Sequence, residues 1–199
     1  MQVRQDRRVL RSRATLMAAA VRLVSERGTT ALPVGELSDA ANVSRQLVYL
    51  QFGDRDALLV AAAAALVERE LIPEVGDDRA PRRARVLAMA RHFARHRPFY
   101  RAMLTGSCAF PMTRALNRLF GSLITTRGLR EVFGDLDDDT ARDLATMITG
   151  GTGAIVNDWV VDADDPLDPE ELTDRLLRLS TAYARGLPAR APSSGGRPR

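Results

Sequence analysis

The chain has only two histidines, His92 and His96, and they stand i, i+4 in what reads as one helix. That spacing puts two imidazoles on one face, where they can hold a zinc ion. Arg91, Arg95 and Arg97 crowd them, however, and no Cys or acidic third ligand is close in sequence. The reading is satisfied or exposed imidazoles and no metal site. The lone Cys108 reads as a buried, inert thiol rather than a redox sensor. "TGGTG" at 149–153 has no strand before it and lies inside a helical pattern, so it is not a dinucleotide loop. No Ser/His/Asp set and no phosphate loop is present. The sequence does not read as an enzyme and calls for no cofactor.

A different chemistry shows in "ANVSRQLVYLQFGDRD", residues 41–56. Asn42 falls where the backbone must turn left-handed, a conformation glycine favours and asparagine tolerates next best. Ser44 is placed as an N-cap. Two short helices, about 33–41 and 45–52, are separated by three residues, the spacing of a helix-turn-helix. Val34, Leu37, Val48 and Phe52 can pack on Leu16, Leu23 and Val24 of a preceding helix. Arg45, Gln46, Leu47, Tyr49 and Leu50 then lie outward or on the flanks. Such a helix makes little sense in water and good sense in a major groove.

The elements that must hold this stretch are nearly all helical, since strand-like alternation is scarce. The expectation is an all-α protein of about nine helices: a three-helix helix-turn-helix module joined to a C-terminal helical bundle. The first helix spans about 7–27 and stops at Gly28. A fourth starts after Asp54 and runs through the alanine run to about Leu71, where Pro73 ends it. Later helices are expected at about 81–96, 99–104, 111–132, 138–161 and 168–185. The domain division is 1–56 with a basic arm, 57–187 for the bundle, and 188–199 as a disordered tail.

Charge is distributed unevenly. The formal net charge is +4, and every basic residue is arginine. Arg4, Arg7, Arg8, Arg11 and Arg13 crowd the start, while acidic residues gather at 134–139 and 162–171. A basic arm suits an anionic partner such as nucleic acid or an anionic membrane surface, or is simply a solvated tail. No apolar run reaches the roughly 18–20 residues a bilayer needs, and the start lacks a signal-peptide core. A single cysteine fits an intracellular chain. A cytoplasmic protein with no membrane partner is expected.

The stretch "ELSDAANVSRQLVYLQFGDRDALL" (36–59), with "AAAVRLVSERGTTAL" before it, resembles the DNA-binding signature of the tetracycline-repressor family of bacterial regulators. The small residues at 40 and 41, the turn, Val43-Ser44, Tyr49, Phe52 and the charged entry to helix four carry the resemblance. It implies a homodimer whose third helices enter major grooves of a palindromic double-stranded operator. It also implies a small-molecule effector, of unknown identity, bound in the larger domain. At the matching positions Arg45 can contact guanine or phosphate and Gln46 can read adenine. Leu47 and Leu50 can meet thymine methyls, and Tyr49 and Arg55 match phosphate contacts. Thr30 and the helix start near Val34 offer backbone N–H groups to phosphate. The chain departs from the pattern at Pro33, Gly35 and Leu50-Gln51. These departures leave an alternative open: a helical partner protein with a degenerate module, acting as a co-regulator.

For the effector pocket the mix of apolar and a few polar residues selects Phe93, His96, Phe99, Tyr100, Met103 and Leu104. Leu119, Leu123, Met147, Asn157 and Trp159 complete the set. The apolar balance suggests a hydrophobic or amphipathic effector. Gly150 and Gly151 allow close helix approach. With the 4-3-4 seam of Leu172, Leu176, Leu179 and Tyr183, they form the expected dimer interface.

Overall fold

The computed structural model describes residues 2–77 and 79–186, with the side chains of 2–8, 131, 132, 185 and 186 outside that description. The side chains of Arg4, Arg7 and Arg8 of the basic arm, and the tail at 188–199, therefore lie outside the described residues. Among the described residues the secondary structure is helical throughout: α1 (Gln2–Arg27), α2 (Val34–Ala40), α3 (Arg45–Phe52), α4 (Arg55–Glu70), α5 (Ile72–Val75), α6 (Arg82–Arg95), α7 (Arg97–Thr105), α8 (Ala109–Gly121), α9 (Thr126–Phe133), α10 (Asp138–Asp162) and α11 (Pro169–Gly186). Among the described residues the count is eleven rather than about nine: a short helix forms in the loop expected after the fourth, and one expected helix is broken. The chain kinks at Leu71, and Pro73 sits in the first turn of α5. A proline there loses no hydrogen bond, so it opens a helix instead of closing one. The span expected at 111–132 breaks after Gly121. Thr125 then caps α9, its hydroxyl accepting from the Gly128 N–H at 3.0 Å.

The helix-turn-helix forms as its local chemistry dictates. Gly28 closes α1 at φ 64° and Asn42 takes φ 52° between α2 and α3. The Val43 N–H donates to the Ser38 carbonyl at 3.0 Å, folding the turn back on α2. The Ser44 hydroxyl accepts from the Leu47 N–H, and the Asp54 carboxylate accepts from the Ala57 N–H at 2.7 Å. Val48 is fully buried, while Phe52 packs half-buried with the Arg13 guanidinium over its ring at 4.2 Å.

Helix α4 ties this module to the bundle. It packs on α1, α3 and α8, and Leu58, Leu59, Ala63 and Val67 are fully buried. Each of the larger three contributes about 1.5–3 kcal/mol by leaving water. The apolar core is continuous across residue 56, running from Leu16, Leu37 and Val48 through α4 to Phe99, Met112 and Leu172. Further along, α11 lies against α6. Arg97, almost fully buried, closes the end of α10: its Nε donates to the Val160 carbonyl at 3.0 Å, and its other nitrogens reach the Ala163 carbonyl and Asp165. These are carbonyls a helix terminus leaves without partners, at the negative end of its dipole.

The turn gives a direct check. Asn42→Gly should leave stability within about 0.5 kcal/mol, whereas Asn42→Val should cost about 1–2 kcal/mol, because a β-branched residue is strained at positive φ. Urea unfolding monitored by circular dichroism measures both.

Candidate DNA-reading face and ligand cavity

Helix α3 presents its outward residues as one face. Arg45, Gln46, Tyr49 and Leu50 are exposed and Leu47 is half-buried beside Val48. Leu50 is 76% exposed and Tyr49 55%. The two side chains stand next to each other beside Arg45 and Gln46 on the outward face. The other expected contacts divide. Val34 is half-buried at the start of α2, whose Pro33 gives no side-chain cap. Arg55 is tied down, with Nε on Asp56 at 2.8 Å and a terminal nitrogen 3.5 Å from the Ser107 hydroxyl. Burial works to raise the Asp56 carboxyl, but hydrogen bonds from Arg55 and Ser107 prevail and hold it below its usual value. Thr30 does not join the exposed face. It is 4% exposed, and its hydroxyl occupies the place where a side chain on Gly106, the C-cap of α7, would stand.

Gly35 acquires a role that the sequence did not show. The Arg45 guanidinium lies across it, and a β-carbon added at Gly35 would stand 2.7 Å from a terminal nitrogen of Arg45. The glycine at which the chain departs from the family pattern is the space in which the guanidinium of α3's one arginine rests.

A half-open cavity of about 280 Å³ lies in the bundle between α6, α8 and α10. Val86, Met89 and Phe93 of α6, Leu116 and Phe120 of α8 and Val156 of α10 form its apolar wall. Arg82 and Arg85 stand at one side, with Thr113, Asn117, Thr149 and Asn157 among the polar lining groups. The Thr149 hydroxyl is buried without a hydrogen-bond partner among the described residues. Asn117 Oδ1 lies 3.1 Å from where a β-carbon on Gly153 would be, so Gly153 makes room for it.

Of the residues expected to line a pocket, Phe93, Leu123 and Asn157 do so. The rest are elsewhere. Phe99, Tyr100 and Met103 are fully buried core, and Trp159 nearly so. Leu104 and Leu119 pack half-buried against that core. Met147 is exposed, its sulfur accepting from the Tyr183 hydroxyl at 3.3 Å. His96 faces away from the cavity toward Glu70, with Nε2 2.7 Å from a carboxylate oxygen. Beside it His92 reaches the Tyr100 hydroxyl through Nε2 at 2.9 Å. Burial, and then the neighbouring charges of His96 and arginines, lower the His92 pKa to about 4, so its ring is neutral at pH 7. Burial likewise raises Tyr100. What the sequence missed was Asn117, Thr149 and Thr152. Their signal was present, as polar residues placed within the apolar stripes of α8 and α10.

The expected dimer seam also divides. Leu172 and Leu176 are buried because α11 turns them onto α6 of its own chain, whereas Leu179 and Tyr183 are exposed. Gly151 is exposed and Gly150 half-buried on α10.

A capped, core-anchored helix bearing an exposed arginine, glutamine, tyrosine and leucine after a tight turn has the form of a helix-turn-helix DNA-binding module. Residues 16–62 match the family model of bacterial regulatory proteins, tetR family, so this N-terminal module is similar to that family's. No curated protein matches it. Solved structures share its fold at low identity. Thermus thermophilus FadR, a TetR-family repressor in complex with lauroyl-CoA, is 21% identical with a TM-score of 0.64, over 92% of this chain and 100% of that one. The fatty acid degradation regulator FadR of Bacillus halodurans is 19% identical with a TM-score of 0.60, over 87% and 98%. The TetR-family repressor AlkX of Dietzia sp. strain DQ12-45-1b is 22% identical with a TM-score of 0.54, over 88% and 96%. No described helix is long and apolar enough to cross a membrane.

Two substitutions probe these features. Gly35→Ala should leave stability unchanged or raise it by up to about 1 kcal/mol, yet weaken DNA binding several-fold by displacing the Arg45 guanidinium. Paired urea-unfolding and gel-shift measurements separate the two effects. Thr149→Val should raise the stability of the ligand-free protein by about 1 kcal/mol, because it removes a buried hydroxyl that has no partner. A lower unfolding midpoint for Thr149→Val would contradict that account.

Proposed function

We propose that this chain is a homodimeric transcriptional repressor that holds a palindromic operator through α3 and releases it when an amphipathic effector enters the cavity of the bundle. The observation that carries the reading is the exposed face of Arg45, Gln46, Tyr49 and Leu50 on a helix whose anchor, Val48, belongs to the same continuous core as the cavity wall. Arg45 and Gln46 supply the hydrogen-bonding groups that distinguish base edges, and the leucines supply apolar contact for thymine methyls. Tyr49 stands beside them for the phosphate backbone. The exposed parts of α10 and α11, with Met147, Gly150, Gly151, Leu179 and Tyr183, suit a helix-on-helix contact with a second copy. Leu172 and Leu176 belong to the chain's own core instead.

The effector class follows from the cavity. Its wall is apolar, with guanidinium groups of Arg82 and Arg85 at one side and buried polar groups within. That pattern suits an elongated apolar body with an anionic head. The lauroyl-CoA held by the Thermus thermophilus repressor is a molecule of this chemistry, and a fatty acyl thioester is the first effector to try. The work is done in the cytoplasm, where operator and acyl thioesters meet.

The test is a gel shift on the DNA flanking the protein's own gene. The wild type should shift it and Arg45→Ala/Tyr49→Ala should lose the shift by at least about tenfold, a loss of the order expected for one or two recognition contacts. Medium-chain acyl-CoA should release the wild-type complex, while coenzyme A alone should not. Equal shifts by wild type and double variant would refute the reader and favour a co-regulator that binds another protein.

A further inference from the structure

Sequence spacing placed His92 and His96 on one helix face and supplied no third ligand. The fold supplies it. Glu70, the last residue of α4, brings its carboxylate to both rings: Oε2 is 2.7 Å from His96 Nε2 and 3.9 Å from His92 Nδ1. One ligand atom from each of the three residues lies within 4.8 Å of the other two. We propose that Glu70, His92 and His96 form a binding site for a first-row divalent metal ion, zinc foremost. Two imidazoles and one carboxylate are the donor set of zinc sites that keep a fourth position open.

The surroundings are arranged as a metal site needs. The Nε2–H of His92 can donate to the Tyr100 hydroxyl at 2.9 Å, which leaves Nδ1 with its lone pair toward Glu70. Oε1 of Glu70 accepts from Arg69 at 2.8 Å, so Oε2 is the oxygen turned to the histidines. Outer partners of this kind fix ring tautomer and carboxylate orientation. With zinc–ligand bonds of about 2.0–2.1 Å, neighbouring ligand atoms in a tetrahedron stand about 3.3 Å apart. The His96–Glu70 pair must open by about 0.6 Å, the His92–Glu70 pair close by about as much, and the two ring nitrogens, within 4.8 Å of one another, come to the same spacing. The ion takes the place of the His96–Glu70 hydrogen bond, binding Nε2 of the neutral His96 tautomer that carries its N–H on Nδ1.

The fourth position has room. A second cavity, of about 320 Å³, lies on the opposite side of α6 from the effector cavity and is lined by Glu70, Glu74, His92, Arg91 and Arg95. A water or an anionic ligand can complete the coordination there. Of the nearby cations, Arg91 is engaged by Glu170 at 3.3 Å and Arg69 by Glu70. Arg95 is exposed, where solvent screens it.

The site is independent of the proposed operator and effector, and so is its test. Full-length protein without a purification tag is stripped with chelator and titrated with Co²⁺. The expected result is one ion per chain with the intense visible absorption of a four-coordinate site, bleached by Zn²⁺. Because the chain has only two histidines, proton NMR of the wild type gives a second readout: both imidazole signals must shift together on adding Zn²⁺. Glu70→Gln and His96→Gln should each weaken binding by about 100-fold or more, beyond the 10–100-fold that losing an outer partner costs. Cys108→Ser should bind as the wild type does. Absence of saturable Co²⁺ or Zn²⁺ binding by the folded wild type overturns the proposal. So does binding that moves neither imidazole signal, or that survives in a folded Glu70→Gln or His96→Gln variant. Should either variant fail to fold, the wild-type NMR result alone decides.

Discussion

The burial of α4 is the constraint on which the rest of the structure depends. Its first turn is attached to the reader through Asp54, and its last residue, Glu70, meets α6. Between them the fully buried Leu58, Leu59, Ala63 and Val67 are shared by the N-terminal helices and the bundle. Side chains packed at crystal-like density have no slack to take up a displacement. A shift at one end of α4 must therefore appear at the other or break contacts in between. The larger core of the described residues runs through both parts, and the helix-turn-helix is an outgrowth of it rather than a separate bead.

Helix α6 occupies the complementary position. One side, through Val86, Met89 and Phe93, lines the apolar cavity; the other, through His92 and Arg91, faces the polar one. Its outer surface is tied to α11 by ion pairs of Arg83 with Glu170 and Asp174, and Leu172 and Leu176 pack beneath. These exposed pairs are each weak in water. The apolar burial under them is what fixes the helix. A ligand on either side of α6 thus acts on a helix that already touches α5, α7, α10 and α11 and, through His92, the Glu70 end of α4.

Legibility in the sequence followed the range of the interactions. The turn at Asn42, the cap at Ser44, the stop at Gly28 and the burial of Val48 were readable because each is decided within a few residues. The reader face followed from that register alone. The cavity was not readable, because a pocket wall and a packed core use the same apolar residues at the same helical spacing: Tyr100 and Met103 went to the core and Val86 and Met89 to the wall. The seam of α11 shows the same limit. Its 4-3-4 pattern announced a buried stripe but not which helix buries it, and α6 of the same chain took Leu172 and Leu176. The Glu70–His96 contact and the Arg97 clamp on α10 join residues 26 and 63 or more positions apart, a range over which spacing carries no information.

Gly35 and Arg45 end up as a single unit of meaning. The arginine's resting place is defined by what a residue on another helix lacks, so under the proposed operator reading the letter Arg45 meets would be encoded jointly. Lineages that acquire a side chain at 35 re-aim Arg45 without touching α3. The effect of any later change at 45 then depends on which change came first. If Arg45 reads an operator as proposed, that preference would have a history, and a recognition code tabulated one residue at a time would misread it.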